Sequence, residues 1–509
     1  MILSLAVALY LALLVSFVYK FVVYPLFLSP LSKLPRAHPT SPILPAWYWY
    51  QVRRKHETRS IVEAHRKYGP VVLLSPNEIS VASLDGLKKI YSGRRFKRPG
   101  WFVLSFTNYN TKNLVTMSDT NEHAKRKKTM LQIYNKAAVI RSVDFHKLSS
   151  VILSDRLLPV LDAAAQTAKG VDVYELMRAV AAEIGSAYEF GLQNGLDLVR
   201  IGREEARKEY LKHTWNKMQE VGDHKASKKW LEVHCLEICT KTDAELKGAT
   251  LKNENPIPSS ERTFPVAYAH LDAATTTEYP TLSTSEKLRM VASEMLDNLE
   301  ASREADGVVL TYAMYELCRQ HQIREQLRKE LNGVKLFANA LPRSLSVTSE
   351  LLQSLDRLPL LDAIIKETMR LYSVAPGLQR RDVPPGGVTV DGYFIPAGTV
   401  VGTSQRALHR NEQVFTNADA WIPQRWMKSA SERASGEFDP AKWWWAFGSG
   451  AMACSGKDFA LIVMKLILAT IYLKFDTEIV DDTGIEQIDD GFMSAPVGNQ
   501  LILGFKSVN

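Results

Sequence analysis

Hydrophobic and polar positions follow three different rhythms along this chain. From Ile2 to Tyr19 no residue is charged; Lys20 interrupts, and Phe21 to Leu28 is apolar again apart from Pro25. A run of that length predicts a helix able to span a bilayer. A second rhythm is short and rich in β-branched residues. Val71-Val-Leu-Leu and Glu78-Ile-Ser-Val-Ala, separated by Ser-Pro-Asn, predict two strands and a turn. Val388-Thr-Val-Asp-Gly-Tyr-Phe-Ile predicts a hairpin closed by Asp391-Gly392. The third rhythm is helical and dominates from Ala124 onward. Val171 to Gly191 predicts an amphipathic helix. Glu286 to about Leu331 predicts one long helix, with no proline and a single glycine, Gly307, and with Met295, Leu299, Val309, Tyr312 and Leu317 on its apolar faces. Phe459-Ala-Leu-Ile-Val-Met-Lys-Leu-Ile-Leu reads as a buried helix. The expected fold class is mainly α with small β-sheets (α+β), preceded by a single transmembrane helix.

The chain has 509 residues, 46% hydrophobic and 23% charged, enough for a large core. Its net charge of +8 suits a membrane surface or an acidic partner better than nucleic acid. Four cysteines (Cys235, Cys239, Cys318 and Cys454), none in C-x-x-C spacing, form no disulfide framework and point to a reducing compartment. Cys235 and Cys239, four apart beside His234, read as helix packing, since no fourth metal ligand is evident.

The first apolar run lacks the basic start and the cleavage site of a signal peptide, so residues 1–28 are expected to stay as an anchor. Lys33, Arg36, Arg53, Arg54 and Lys55 follow it and no basic residue precedes it, which places the body on the cytoplasmic side. Six prolines between Pro25 and Pro45 predict a stiff, extended linker over residues 29–46, with the body at 47–509.

Candidate chemistry centres on Trp445-Ala-Phe-Gly-Ser-Gly-Ala-Met-Ala-Cys-Ser-Gly456. A thiol just before a helix meets unpaired backbone N–H groups and the positive end of the helix dipole, which favour the thiolate. Gly448, Gly450 and Gly456 let the backbone approach something large and flat, and Phe447 is placed to pack on the sulfur side. A thiolate presented to haem iron satisfies all of this. An inert buried cysteine and a thiolate nucleophile are the alternatives. Elsewhere, His123 and Lys127 share a helical face suited to an anion. Glu304 sits mid-helix in Glu300-Ala-Ser-Arg-Glu-Ala-Asp306, either water-facing or as an acid that relays protons. Glu367 and Arg370 lie on one helical face, and Arg425 can offer that carboxylate a second fork. Arg380 and Arg381 precede the hairpin and can clamp a carboxylate or propionate. Trp443, Trp444 and Trp445 read as packing. No G-x-G-x-x-G at a strand–helix junction and no P-loop occurs, so electrons would come from another protein.

This order of parts resembles the cytochrome P-450 family of haem-thiolate monooxygenases across essentially the whole chain. The sequence looks most like the membrane-anchored fungal members that act in secondary metabolism. The resemblance implies haem b (iron protoporphyrin IX), with Cys454 as its axial ligand and Phe447 packed against it. It implies that His123, Lys127 and Arg381 hold haem propionates, that Glu367, Arg370 and Arg425 form a structural triad, and that 100–116, Ser373–Leu378 and Phe492–Val497 line the substrate pocket. It further implies a haem-thiolate catalytic domain over 47–509, hydroxylation or a related oxidation of a small lipophilic substrate with O2, and electrons from NADPH through a separate flavoprotein reductase. Cytochrome b5 is a second candidate donor, and the expected location is the endoplasmic reticulum membrane, facing the cytosol.

Two positions depart from the family pattern. Met452 stands where the family carries a propionate-binding arginine, so haem retention is expected to lean on His123, Lys127 and Arg381. Ala305 replaces the threonine that helps protonate bound dioxygen, leaving Glu304 as the acid. These departures motivate two alternatives: a haem enzyme that rearranges or dehydrates its substrate without external electrons, and a haem-binding protein without turnover.

Overall fold

The computed structural model describes residues 2–93, 96–248, 262–334, 345–428, 430–432, 438–488 and 493–508. The helices that frame the site are α1 (Ile2–Val18), α2 (Thr120–Tyr134), α3 (Val173–Phe190), α4 (Glu204–Gln219), α5 (Thr284–Arg319), α6 (His321–Asn332), α7 (Pro359–Leu371) and α8 (Lys457–Lys474). Among the described residues the nine short strands are β1 (Val71–Ser75), β2 (Glu78–Val81), β3 (Val171–Asp172), β4 (Arg381–Asp382), β5 (Val388–Val390), β6 (Tyr393–Ile395), β7 (Val400–Gly402), β8 (Phe475–Asp481) and β9 (Ile502–Ser507).

α1 continues through Tyr19–Leu28 as a wider helical turn that contains Pro25. Together they give one candidate span among the described residues, Leu5–Leu28, with none of it buried. Its 24 residues are long enough for a hydrocarbon core of about 30 Å.

Local chemistry explains most boundaries. Ser283 and Glu286 form a reciprocal capping box at the start of α5. Asp172 caps α3 by accepting from the N–H groups of Tyr174 and Glu175. Asp391 and Gly392 both take positive φ, as a tight hairpin turn requires.

Three expectations are corrected. The long helix does not run to Leu331: Gln320 leaves helical geometry (φ −117°, ψ 72°), and its amide donates to the Trp421 carbonyl, so α5 ends at Arg319 and α6 starts anew. α3 is not one-faced, because every residue from Val173 to Phe190 except Glu175 is buried, and Val171–Asp172 is a strand paired with β9. The proline-rich segment is packed, not extended away. Pro30–Lys33 forms a short helical turn, Leu31 and Leu34 are buried, and the backbone at Pro35 and Ala37 bonds to Leu73 of β1.

Two hydrophobic cores result. The larger gathers α2, α3, α5, α7 and α8, and the smaller surrounds the four-stranded sheet β1-β2-β7-β4. In that sheet β7 pairs with β4 in a register that sets Arg381 opposite Val401. The sheet therefore fixes where Arg381 enters the interior.

A buried carboxylate joins the two cores. Glu367, fully buried on α7, accepts both Nε and Nη2 of Arg370 at 2.8 Å. It also accepts Arg425 Nε at 3.0 Å, Trp426 Nε1 at 2.9 Å and the Ile422 N–H at 2.8 Å. Arg370 spends its remaining donors on the carbonyls of His409, Ala418 and Ala420. Such a network is favourable only when every member is satisfied. Replacing Glu367 by Leu strands two guanidinium groups, and we expect a loss of about 3–5 kcal/mol in chemical denaturation of the detergent-purified protein. A loss below about 1 kcal/mol would show that the network contributes little.

Candidate active site

The cysteine loop is built by contacts at both ends. His409 is fully buried; its carbonyl accepts from Arg370, and its Nε2 accepts the Trp445 N–H at 2.9 Å. Gln405 donates to the Ala446 carbonyl at 3.0 Å. The Trp445 ring packs on Tyr91 at 4.6 Å, and its Nε1 donates to Ser449. Gly450 has φ +69°, and a Cβ there would lie 1.9 Å from the Tyr91 carbonyl oxygen, so the loop passes where only glycine fits. The Cys454 N–H then donates to the Phe447 carbonyl at 2.9 Å. The Phe447 ring rests edge-on against Trp444 at 5.7 Å.

Cys454 is accessible. Burial, the largest influence, holds its thiol above the ordinary pKa, and Asp306 adds to the rise; the N–H groups of Gly456 and Lys457 at the start of α8 and the Lys127 ammonium pull the other way. Two backbone donors and one ammonium are thus in place to hold a thiolate, but the fold by itself does not favour one, contrary to the expectation from the loop.

Basic groups converge beside this loop. Lys127 Nζ donates to the carbonyls of Ala451 at 2.7 Å and Ala453 at 2.8 Å, and burial lowers its pKa. His123, one turn earlier on α2, is buried. Arg381 is buried over the Tyr91 ring at 5.1 Å, donates to the Arg380 carbonyl and has its pKa lowered by burial. Arg98, which the sequence reading missed, donates to the Val115 carbonyl at 2.6 Å. Burial, with Arg381 adding repulsion, lowers it to about 10. Arg98 also depresses Lys127. None of Arg98, Lys127 and Arg381 has a carboxylate in ion-pair contact among the described residues. A cavity of about 560 Å³ adjoins Lys127, lined also by Lys97, His123, Gly450 and Met452. Arg380 takes the carboxylate alternative. It pairs with Glu78 at 2.6 Å and Glu57 at 2.7 Å and bonds Tyr48, so it is spent within the fold.

On α5, Ala301 is exposed and Ala305 partly exposed, one turn apart, inside a helix that is otherwise mostly buried. Glu304 is not on that stripe, and the expected relay role is not supported by its surroundings. It is fully buried, accepts Tyr174 Oη at 2.8 Å and Arg178 Nε at 3.0 Å, and lies 3.5 Å from Arg303. Burial alone would raise its pKa, but Arg178 and Arg303 bring it below the ordinary value, so it holds no proton to give. Gly307 makes this clamp possible, since a Cβ there would lie 2.4 Å from Arg178 Cγ. Asp297, one turn before Ala301, carries no hydrogen bond or ion pair among the described residues. Burial, helped by Glu294 and Glu300, raises it to about 8. No local sequence signal separated Asp297 from Glu304, because both are acids on the same helix.

The stretches expected to line a substrate pocket are partly described. Gly100–Ser105 is a short helix bearing the exposed Trp101 and Leu104. Ser373, Val374 and Leu378 are buried. Phe492 lies outside the described residues.

Comparison with known proteins agrees with this geometry. The cytochrome P-450 family model matches residues 36–503. The chain belongs to the cytochrome P-450 family. It is similar to the cytochrome P-450 monooxygenase avaI of Aspergillus versicolor, 27% identical over 79% of this chain and 94% of that protein. It is likewise similar to the cytochrome P-450 monooxygenase hkm5 of Aspergillus hancockii, at 23% over 95% of this chain and 93% of the relative. The cytochrome P-450 monooxygenase FGM1 of Gibberella zeae is 25% identical over 85% of this chain and 83% of its own length. As a cytochrome P-450 this chain is an oxidoreductase of the haem-thiolate class, which works with a redox partner, a substrate and O2. The residues fit that cofactor. A sulfur with two backbone donors suits iron ligation, and half-buried to buried cations with no carboxylate in ion-pair contact among the described residues suit a macrocycle that carries two propionates.

Two outcomes test this architecture. Gly448 and Gly450 both take positive φ, which costs an alanine about 1–2 kcal/mol. A Cβ at Gly448 meets nothing nearer than 3.8 Å, whereas one at Gly450 collides with backbone. Gly450→Ala should therefore lose severalfold more bound haem per protein than Gly448→Ala, measured as pigment content after purification; equal retention would refute the close approach. Burial, with Arg370 and Arg410 adding repulsion, lowers His409 to about 3, so it stays neutral in the fold, while the unfolded chain protonates it near 6.5. Stability is then full above pH 6.5 and falls as pH drops toward 3, by up to about 1.4 kcal/mol per unit from this residue. His409→Gln should flatten the pH 4–6.5 slope of the unfolding midpoint; an unchanged slope would assign the acid sensitivity elsewhere.

Proposed function

We propose that this protein is a membrane-anchored monooxygenase that inserts one oxygen atom of O2 into a small lipophilic metabolite, with electrons from NADPH through a separate reductase. The observation that carries the reading is the sulfur of Cys454, met by backbone donors beside a group of half-buried to buried cations with no carboxylate in ion-pair contact among the described residues. In this reading Cys454 is the axial ligand, and haem bound through a thiolate supplies oxygen activation. His123, Lys127, Arg381 and Arg98 hold the propionates, with Arg98 taking up the charge that Met452 does not provide. Phe447 closes the sulfur side through its backbone, and Glu367, Arg370 and Arg425 hold the loop in place. Ala301 and Ala305 give the substrate room on α5. Asp297 replaces Glu304 as the proton-holding acid, because its carboxyl is still protonated near neutral pH and has no partner to release.

The span Leu5–Leu28 and the basic residues after it support an endoplasmic-reticulum anchor with the body facing the cytosol. A membrane flavoprotein reductase is the electron donor, with cytochrome b5 as a second one, and the fungal relatives support a role in secondary metabolism. A second reading, rearrangement or dehydration without external electrons, is favoured by one observation: Ala305 offers no hydroxyl and Glu304 is locked.

One experiment separates these readings. The protein is co-expressed with a fungal reductase, and metabolites are compared with and without it and with and without NADPH in isolated membranes. Oxygenated products that need NADPH are expected, together with a red-shifted ferrous–carbonyl Soret band that Cys454→Ser abolishes. Products formed equally without NADPH would favour rearrangement, and a wild-type protein that never shows the shifted band would overturn thiolate ligation.

A further inference from the structure

The side of α5 that clamps Glu304 carries more positive charge than its neighbours neutralise. Arg303 has no exposed surface, and none of its three guanidinium nitrogens has a hydrogen-bond acceptor. Its nearest acid, Glu304, lies 3.5 Å away with both oxygens already engaged, one by Tyr174 and the other by Arg178. Two further buried donors nearby are unsatisfied: Arg178 Nη2 and the hydroxyl of Tyr210 on α4. Tyr210 lies within electrostatic reach of Arg303.

The surrounding charges do not resolve the surplus. Lys217 of α4 and Glu300 of α5 pair at 2.6 Å and cancel. Asp172, at the head of α3, acts on Arg178 from a distance, but its contacts are the backbone N–H groups of Tyr174, Glu175 and Leu501, and it reaches neither guanidinium. Among the described residues, Glu304 is therefore the carboxylate in ion-pair contact with both buried guanidinium groups. Guanidinium carries five N–H donors and no acceptor, so the two arginines and the tyrosine hydroxyl cannot all satisfy one another. Burying an unpaired charge is among the most unfavourable events in folding. A water molecule can accept two of these bonds but leaves the charge uncompensated.

We propose that Arg303, Arg178 and Tyr210 form a buried site for a small monovalent inorganic anion, chloride in the cell, at the junction of α3, α4 and α5. The enclosure excludes a substrate carboxylate or a phosphate, since none of the three residues reaches the surface that Ala301 and Ala305 present. The anion completes the clamp on Glu304 and ties α4 to the α3–α5 pair. The site is independent of the haem chemistry proposed above.

Bromide is the probe, used on the haem-loaded, detergent-purified full chain. Crystals grown in sodium bromide should show an anomalous peak in contact with Arg303 and Arg178. In solution the thermal unfolding midpoint should rise saturably when bromide or chloride replaces gluconate at equal ionic strength, as expected for a ligand that binds only the folded state. Arg303→Leu removes the surplus charge, so its midpoint should be insensitive to the exchange of anions. Arg303→Gln serves the same purpose if the leucine variant fails to fold. A peak at Arg303, together with a midpoint shift that the Arg303 variants lose, upholds the proposal. Absence of the peak overturns it, and so does a midpoint shift that the Arg303 variants share, which would be a general salt effect.

Discussion

A single carboxylate, that of Glu367, holds the catalytic half of this molecule in register. It accepts five donors from two segments: Arg370 on its own helix, and the Ile422 backbone with the Arg425 and Trp426 side chains from residues 422–426. Its charge would be prohibitive in a dry interior without them. Because Arg370 also grips the carbonyls of His409, Ala418 and Ala420, the order imposed at Glu367 passes into the 409–426 segment. His409 then transfers it, through one nitrogen, to the backbone of Trp445 where the cysteine loop begins. The position of the sulfur is thus set by polar contacts whose strength depends on the absence of water.

The loop adds its own constraint. Gly450 presses on the backbone of Tyr91, and the same tyrosine stacks on Trp445, lies beneath Arg381 and bonds Gln379 and Thr403. One aromatic side chain therefore connects the cysteine loop to the four-stranded sheet. The cations follow from that connection. Arg381 is delivered by the pairing of β4 with β7, Lys127 by a helical turn of α2, and Arg98 by the segment after Phe96. They come from distant parts of the sequence, yet each lowers or is lowered by another, which marks them as a group assembled to meet negative charge.

α5 sorts its acids by what surrounds them. Glu304 meets two guanidinium groups and is fixed as an anion; Asp297 meets mainly burial and other carboxylates and keeps its proton. Asp306, also buried and without a hydrogen bond at Oδ2, is pushed well up by desolvation alone and is felt at Cys454. Carboxyl groups on one helix thus have their pKa values pushed in opposite directions, Glu304 down and Asp297 and Asp306 up, and neither identity nor spacing dictates which is which.

Much of this was legible in the amino-acid order because it depends on neighbours in sequence. The apolar run to Leu28, the strands around Ser75-Pro-Asn77, the Asp391-Gly392 turn and the glycine loop before an apolar helix are local patterns, and local backbone physics suffices to produce them. Glu367 with Arg370 is likewise one helical turn. Other features required the chain to meet itself. Gln320 breaks a helix that contains no breaker, because its side chain finds the Trp421 carbonyl. The proline segment packs because Leu73 offers it a strand edge. Glu304 is clamped because Arg178, 126 residues away, reaches it across Gly307, and Arg98 is lowered because burial sets it near Arg381. Sequence determined where a thiolate can be presented; only tertiary structure decided which charges face it, since electrostatic energies depend on burial and distance, and neither is a property of spacing along the chain.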